Sequence, residues 1–84
     1  MKEKIAVIAA VLDNPVKSQH KFNSTISEFK DLIRGRLGLP LPDKGVAAIS
    51  IIVIGSIDDI NSLTGKLGNI EGVNVKTSIS KKEI

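Results

Sequence analysis

The sequence contains no cysteine, tryptophan or tyrosine, and its 84 residues include a single histidine, His20. Without cysteine there can be no disulfide and no thiolate metal site. One imidazole cannot build a metal centre within a subunit, so several copies would have to share it. The only aromatics are Phe22 and Phe29, too few to interleave rings with cations as a base-stacking surface requires. Charge of one sign is also in short supply: twelve Lys and Arg against nine Asp and Glu leave +3, spread along the chain apart from Lys81-Lys82 at the tail. Nucleic-acid binding by this chain alone is not expected, and neither is a cofactor.

Long apolar runs are missing as well. No segment approaches the roughly 20 residues needed to cross a bilayer as a helix. The start, "MKEKIAVIAAVL", superficially resembles a signal peptide, with a charged opening and an apolar run from Ile5 to Leu12. Glu3 in the charged region and Asp13-Asn14-Pro15 in place of a small-residue cleavage site argue against export. A buried strand accounts for the run better, and a cytoplasmic protein without membrane contact is the expectation. Residues 1–84 are expected to form one domain, within the usual range of about 50–250 residues. So short a domain buries only about 60% of its unfolded surface. With disulfides and a metal site within one subunit excluded, oligomerisation is the remaining source of added stability.

What is present is a regular alternation of elements. Ile5–Leu12 reads as a first strand, closed by Asp13-Asn14-Pro15, where Asn14 suits a helix N-cap and Pro15 the first helical position. Phe22, Ile26, Phe29 and Ile33 fall at helical spacing, and the helix is expected to fade near Lys30-Asp31. His20 lies roughly 150° from the centre of that stripe and is expected in solvent. Leu32–Leu37 reads as a second strand, with Arg34 and Arg36 on one face and Ile33, Gly35 and Leu37 on the other. The Gly- and Pro-dense "GLPLPDKG", Gly38 to Gly45, is expected to be a loop. Val46–Ile54 makes a third strand. Ser56 caps a second helix with Asp59 in its first turn, and Ile57, Ile60, Leu63 and Leu67 form its stripe. From Val73 to Ser80 apolar and polar residues alternate, a half-buried fourth strand.

The order βαββαβ is the ferredoxin-like arrangement, an α+β fold in which a four-stranded antiparallel sheet carries both helices on one face, with strands one and three central. Strands one and three are apolar on both sides, and no chain is left to cover the second side. Leaving those aliphatics in water forgoes about 1.5–3 kcal/mol each. Self-association is therefore expected, as a homodimer or homotetramer, through the open sheet face or the sheet edges.

Chemistry is harder to find. "LTGKLGNIEGVNVKT", Leu63 to Thr77, contains Gly65-Lys66, but a phosphate-binding loop needs its glycines between a strand and the start of a helix. Here the pair lies in the second half of a helix and Leu67 follows the lysine. Gly68 sits where a left-handed residue closes a helix, and Gly72 turns the chain into Val73. Gly65 has no capping role and costs roughly 1 kcal/mol in mid-helix; close approach of a strand, a partner helix or a ligand could offset that, with packing the preferred account. Asp58 and Asp59 point about 100° apart on a helix and do not form a carboxylate pair. No nucleophile–base set can be assembled, so no enzyme is expected. "RGRLGLP", Arg34 to Pro40, is open to two readings: an edge strand with solvated arginines, or a cationic strip for an anion or a neighbouring chain.

With "GRLGLP" at 35–40 and "LTGKLGNIEGVNVKT" at 63–77, the chain resembles, over residues 4–80, the small regulators of iron-only hydrogenase systems. Those proteins have a ferredoxin-like, ACT-like fold similar to the C-terminal sensor domain of the nickel-responsive repressor. The resemblance implies a homo-oligomeric regulatory module linked to hydrogenase expression or maturation; beside it stands the expectation that the module binds an unidentified effector at a subunit interface. The metal-binding histidines and cysteine of the nickel repressor have no counterpart here, and a ribbon-helix-helix module ahead of the first strand is not expected. Amino-acid-binding ACT domains carry an Asp-x-Pro-Gly turn after strand one; Asp13-Asn14-Pro15 matches its first part and Val16 replaces the glycine. The candidate ligand or interface residues are thus Asp13, Asn14, Pro15, Arg34, Gly35, Arg36, Gly38 and Gly65. An alternative is a protein-interaction adaptor in hydrogenase maturation that takes no small molecule.

Overall fold

The computed structural model describes residues 2–84. The chain runs β1 (Lys4–Leu12), α1 (Pro15–Glu28), a 3₁₀ turn at Lys30–Leu32, β2 (Ile33–Leu41), β3 (Val46–Gly55), α2 (Ile57–Gly68) and β4 (Val73–Glu83). All strand pairs are antiparallel and the sheet order is β2-β3-β1-β4. The two-sided apolar strands are therefore the inner pair, as the ferredoxin-like pattern requires.

One side of the sheet meets the helices. Ala6, Ile8, Ala10 and Leu12 of β1 and Ile49, Ile51 and Val53 of β3 are buried there against Phe22 and Ile26 of α1 and Ile60, Leu63 and Leu67 of α2. These positions alternate along each strand, so the burial follows from the period of two in the strands and of 3.6 in the helices. Ser56 Oγ accepts the Asp59 backbone N–H at 3.1 Å, the expected cap of α2. Thr64 and Thr77 share a hydroxyl hydrogen bond of 2.7 Å that ties α2 to β4.

Several local expectations need correction. Asn14 makes no side-chain cap on α1; Pro15, with φ already set, starts the helix without one. The expected Gly38–Gly45 loop is shorter, because β2 continues through Leu41 and only Pro42 to Gly45 turn. Pro40 fits in β2 because an edge strand needs only every other N–H for its ladder. In that turn Lys44 donates to the Leu41 carbonyl at 2.9 Å, and Gly45 adopts φ +72°. β4 also runs past Ser80 to Glu83. The left-handed glycine after α2 is Gly72, at φ +79°, not Gly68. Gly68 is instead a close approach: a Cβ there would stand 3.3 Å from Val75 Cγ2 of β4.

The largest departure is in β2. Its register against β3 shifts between Ile33, opposite Val53, and Gly35, opposite Ile52. A bulge of this kind reverses the facing of everything after it. Ile33 packs with the helix-side core, whereas Leu37 and Leu39 pair with Ser50 and Ala48 on the open side. Arg36 pairs with Ile51 and so lies on the helix side. Ile33 and Leu37 thus occupy opposite faces, against the simple alternation read from sequence.

Candidate functional site

The side of the sheet away from the helices is built from alternate residues of three strands: Ile5, Val7, Ala9 and Val11 of β1, Val46, Ala48, Ser50, Ile52 and Ile54 of β3, and Gly35, Leu37, Leu39 and Leu41 of β2. None is charged. Leu37 is 71% exposed, Leu39 57%, Val11 41%, and Val7 and Ile52 38% each. The small side chains of Ala9, Ala48 and Ser50 leave a shallow groove of about 290 Å³ between Val11 and the two leucines. β4 is the polar margin of this face, with Asn74, Lys76 and Ser78 opposite Val11, Ala9 and Val7. Ridge and groove lie side by side on one apolar surface.

Around the β2 edge, on the helix side, lies a second cavity of about 340 Å³. Its α1 wall consists of Pro15, Val16 and Gln19, its β2 wall of Arg36, Gly38 and Pro40, and its floor includes Leu12 and Ile49. It exists because α1 begins over the inner strands and leaves the far half of β2, thinned by Gly38, uncovered. Arg36 is the one charged residue lining it. The Arg36 guanidinium donates from Nη2 to Asn23 Oδ1 at 2.8 Å and lies 5.7 Å from the centroid of the Phe22 ring. Leu39 and Ile49 line both this cleft and the open-face groove.

A third, polar cavity of about 520 Å³ opens between the start of α1 and the α2–β4 loop, lined by Asn14, Lys17, Lys21 and Glu71 among others. The Asp13 N–H donates to the Gly72 carbonyl at 2.8 Å, which fixes the floor of this corner. Asn74 Nδ2 is 3.5 Å from Asp13 Oδ1, and the Asn14 carbonyl accepts the Lys17 and Ser18 N–H groups at 3.0 and 3.1 Å. Asp13 and Asn14 are therefore engaged in closing the β1–α1 turn.

Of the residues singled out in the sequence, Pro15, Arg36 and Gly38 come together in the α1–β2 cleft, and Asn14 lines the polar one. Arg34 and Gly35 sit at the β2 bulge and line neither. Gly65 is remote from both and has nothing within 4 Å of where a Cβ would stand. Close packing within the chain therefore does not explain this glycine. Gly65→Ala is expected to stabilise the fold by about 0.5–1 kcal/mol, raising the melting temperature by several degrees at about 4–8 °C per kcal/mol. A lower melting temperature in a thermal scan would contradict an open surface at that position. Val16, Gln19 and Leu39 are not among the candidates drawn from the sequence. Val16 and Gln19 carried a signal, since both follow Pro15 within the first turns of α1. Leu39 carried none, because its facing depends on the bulge.

Among the described residues no group of three or more His, Cys, Asp or Glu side chains is placed to hold a metal ion, and no helix is long and apolar enough to cross a membrane. No curated protein matches the sequence. The fold is similar to that of the uncharacterized protein TM1266 from Thermotoga maritima, at a TM-score of 0.90 and 30% identity, covering 94% of this chain and 99% of that one. It is also similar, in fold alone, to the C-terminal domain of MgtC from Mycobacterium tuberculosis, at a TM-score of 0.71 and 14% identity over 93% of this chain and 88% of that one. The model of the TM1266-like family, described as proposed iron-only hydrogenase system regulators, matches residues 4–77. With that match spanning nearly the whole ferredoxin-like unit, the chain belongs to the TM1266-like family of proposed iron-only hydrogenase system regulators.

Proposed function

We propose that the protein is a homo-oligomeric sensory module of an iron-only hydrogenase system, in which copies pair through the open sheet face and an effector binds beside that interface. The observation that carries this reading is the uncharged apolar face of β2, β3 and β1. Strands of nine or ten residues, spaced about 4.8 Å apart and rising about 3.3 Å per residue, offer roughly 430 Å² of such face per copy. Adding the polar strand β4, two copies together bury somewhat more than about 1,000 Å², the lower limit for a specific interface. A two-fold axis would set the leucine ridge of one copy against the groove of the other. Charge does not oppose the pairing, since Lys76 at the margin is the only charged residue paired along this face between positions 74 and 78 of β4. A copy seated on the face would touch Leu39, which also forms part of the α1–β2 cleft, so occupancy of the cleft and assembly share a wall.

Sedimentation equilibrium is expected to give a dimer or tetramer at micromolar concentration; a monomer throughout that range overturns the assembly half of the reading. Thermal scans against amino acids, nucleotides, organic acids and inorganic anions test the sensory half. A ligand at 100 times its dissociation constant adds about 2.7 kcal/mol, equivalent to more than about 10 °C in a domain of this size. The adaptor reading draws support from β4, an eleven-residue edge strand without proline that could accept a partner's strand. Capture of one defined hydrogenase-system protein, together with no response to any small molecule, would favour it.

A further inference from the structure

We infer that the α1–β2 cleft takes a small carboxylate with an apolar body, the Arg36 guanidinium pairing with the carboxylate. This names the ligand class for the sensory site proposed above and rests on that reading. Pro15, Val16 and Pro40 present apolar surface over a floor of buried Leu12 and Ile49, and no acidic side chain lines the cleft. A cation would meet Arg36 with nothing to offset it, and a bare phosphate would leave the apolar walls facing water. An anion with a hydrocarbon body satisfies both walls.

The charged group is already positioned. Arg36 is braced by its hydrogen bond to the neutral Asn23 amide at 2.8 Å and by the Phe22 ring beneath it. Neither ion pair found among the described residues involves it. One nitrogen is committed to Asn23, which leaves donors of the guanidinium fork for the two oxygens of a carboxylate. Because the side chain is held before binding, less rotamer entropy is lost when the pair forms. Gln19, on the facing α1 wall, offers an amide that can donate to the same group. The volume of about 340 Å³ lies at the small end of ligand cavities. At about 30 Å³ for each water-sized group, it holds roughly ten heavy atoms, the size of an eight-carbon acid.

The experiment is a two-dimensional amide NMR titration of the full chain with octanoate, octylammonium and octanol. Octanoate is expected to shift Val16, Gln19, Gly38 and Leu39 saturably, binding at least about tenfold more tightly than the other two probes. Arg36→Gln is expected to weaken octanoate about tenfold while leaving octanol unchanged, and Arg36→Lys to recover only part of the loss. A circular-dichroism melt of each variant establishes that it is folded, and Gln19→Ala offers a second route should Arg36→Gln not fold. Equal binding of octanoate and octanol, an unchanged affinity in Arg36→Gln, or shifts confined to Leu37 and Ser50 on the open face would each overturn the inference. If octanoate fails but an amino acid or nucleotide from the thermal panel shifts the same cleft amides, the carboxylate class falls and the sensory reading stands. If no small molecule shifts them, both fall.

Discussion

On the proposed pairing through the open sheet face, Leu37→Glu is expected to give a folded monomer. Leu37 is 71% exposed in the single chain, so a glutamate there costs the isolated subunit little. In a two-fold assembly the same change buries two carboxylates, one from each copy, with no cation opposite them on the apolar strands. An unpaired charge taken out of water costs several kcal/mol, and about 4 kcal/mol corresponds to a thousandfold rise in the dissociation constant. Ile52→Glu, on the neighbouring strand, should act in the same direction. The check is sedimentation equilibrium beside a far-ultraviolet spectrum. Where the parent protein sediments as an oligomer, a Leu37→Glu protein that keeps both its fold and that mass would show that the copies associate through another surface, and the edges β2 and β4 would become the candidates.

The second large effect is expected at Phe22. Its side chain is 0% exposed, and it is the largest residue in the layer between α1 and the sheet. Phe22→Ala removes the ring and leaves a cavity that α1 cannot readily close, at a cost of about 3–5 kcal/mol. For a domain with total stability near 5–10 kcal/mol that is about a third or more of the whole, and the melting temperature is expected to fall by at least about 12 °C. Phe22→Leu keeps most of the volume and should cost distinctly less. The pair separates two roles of this ring, since Phe22 also supports Arg36 from below. A stable Phe22→Leu variant with an unsupported guanidinium should show weakened carboxylate affinity without a large loss of fold. A Phe22→Ala protein melting within a few degrees of the parent would mean that the helix layer is held mainly by α2.

Much of the fold was legible because it depends on short-range pattern. Ile5–Leu12 and Val46–Ile54 are apolar on both faces, the pattern of strands at the middle of a sheet, and they are the inner pair. Ser56 and Asp59 lie three residues apart, so their cap could be read directly and is present. The candidate site was legible only in part. Pro15, Arg36 and Gly38 were named on separate grounds, a turn and a basic strand; the structure gathers them at one cleft. Gly65, chosen for an unexplained cost, faces open space. Asn14 looked like a cap by residue type, yet its backbone carbonyl does the bonding.

What the amino-acid order determined by itself was the succession of strands and helices, the identity of the inner strands and the deficit of cover on one side of the sheet. These rest on periodicities of two and 3.6 residues, which neighbouring side chains carry in full. Only the tertiary structure decided where Arg36, Leu37 and Leu39 point. That choice turns on the bulge between Ile33 and Gly35, a matter of which β3 residue each β2 residue pairs with across the ladder. One residue of slip exchanges the two faces, sending the leucines to the open surface and the arginine to the cleft.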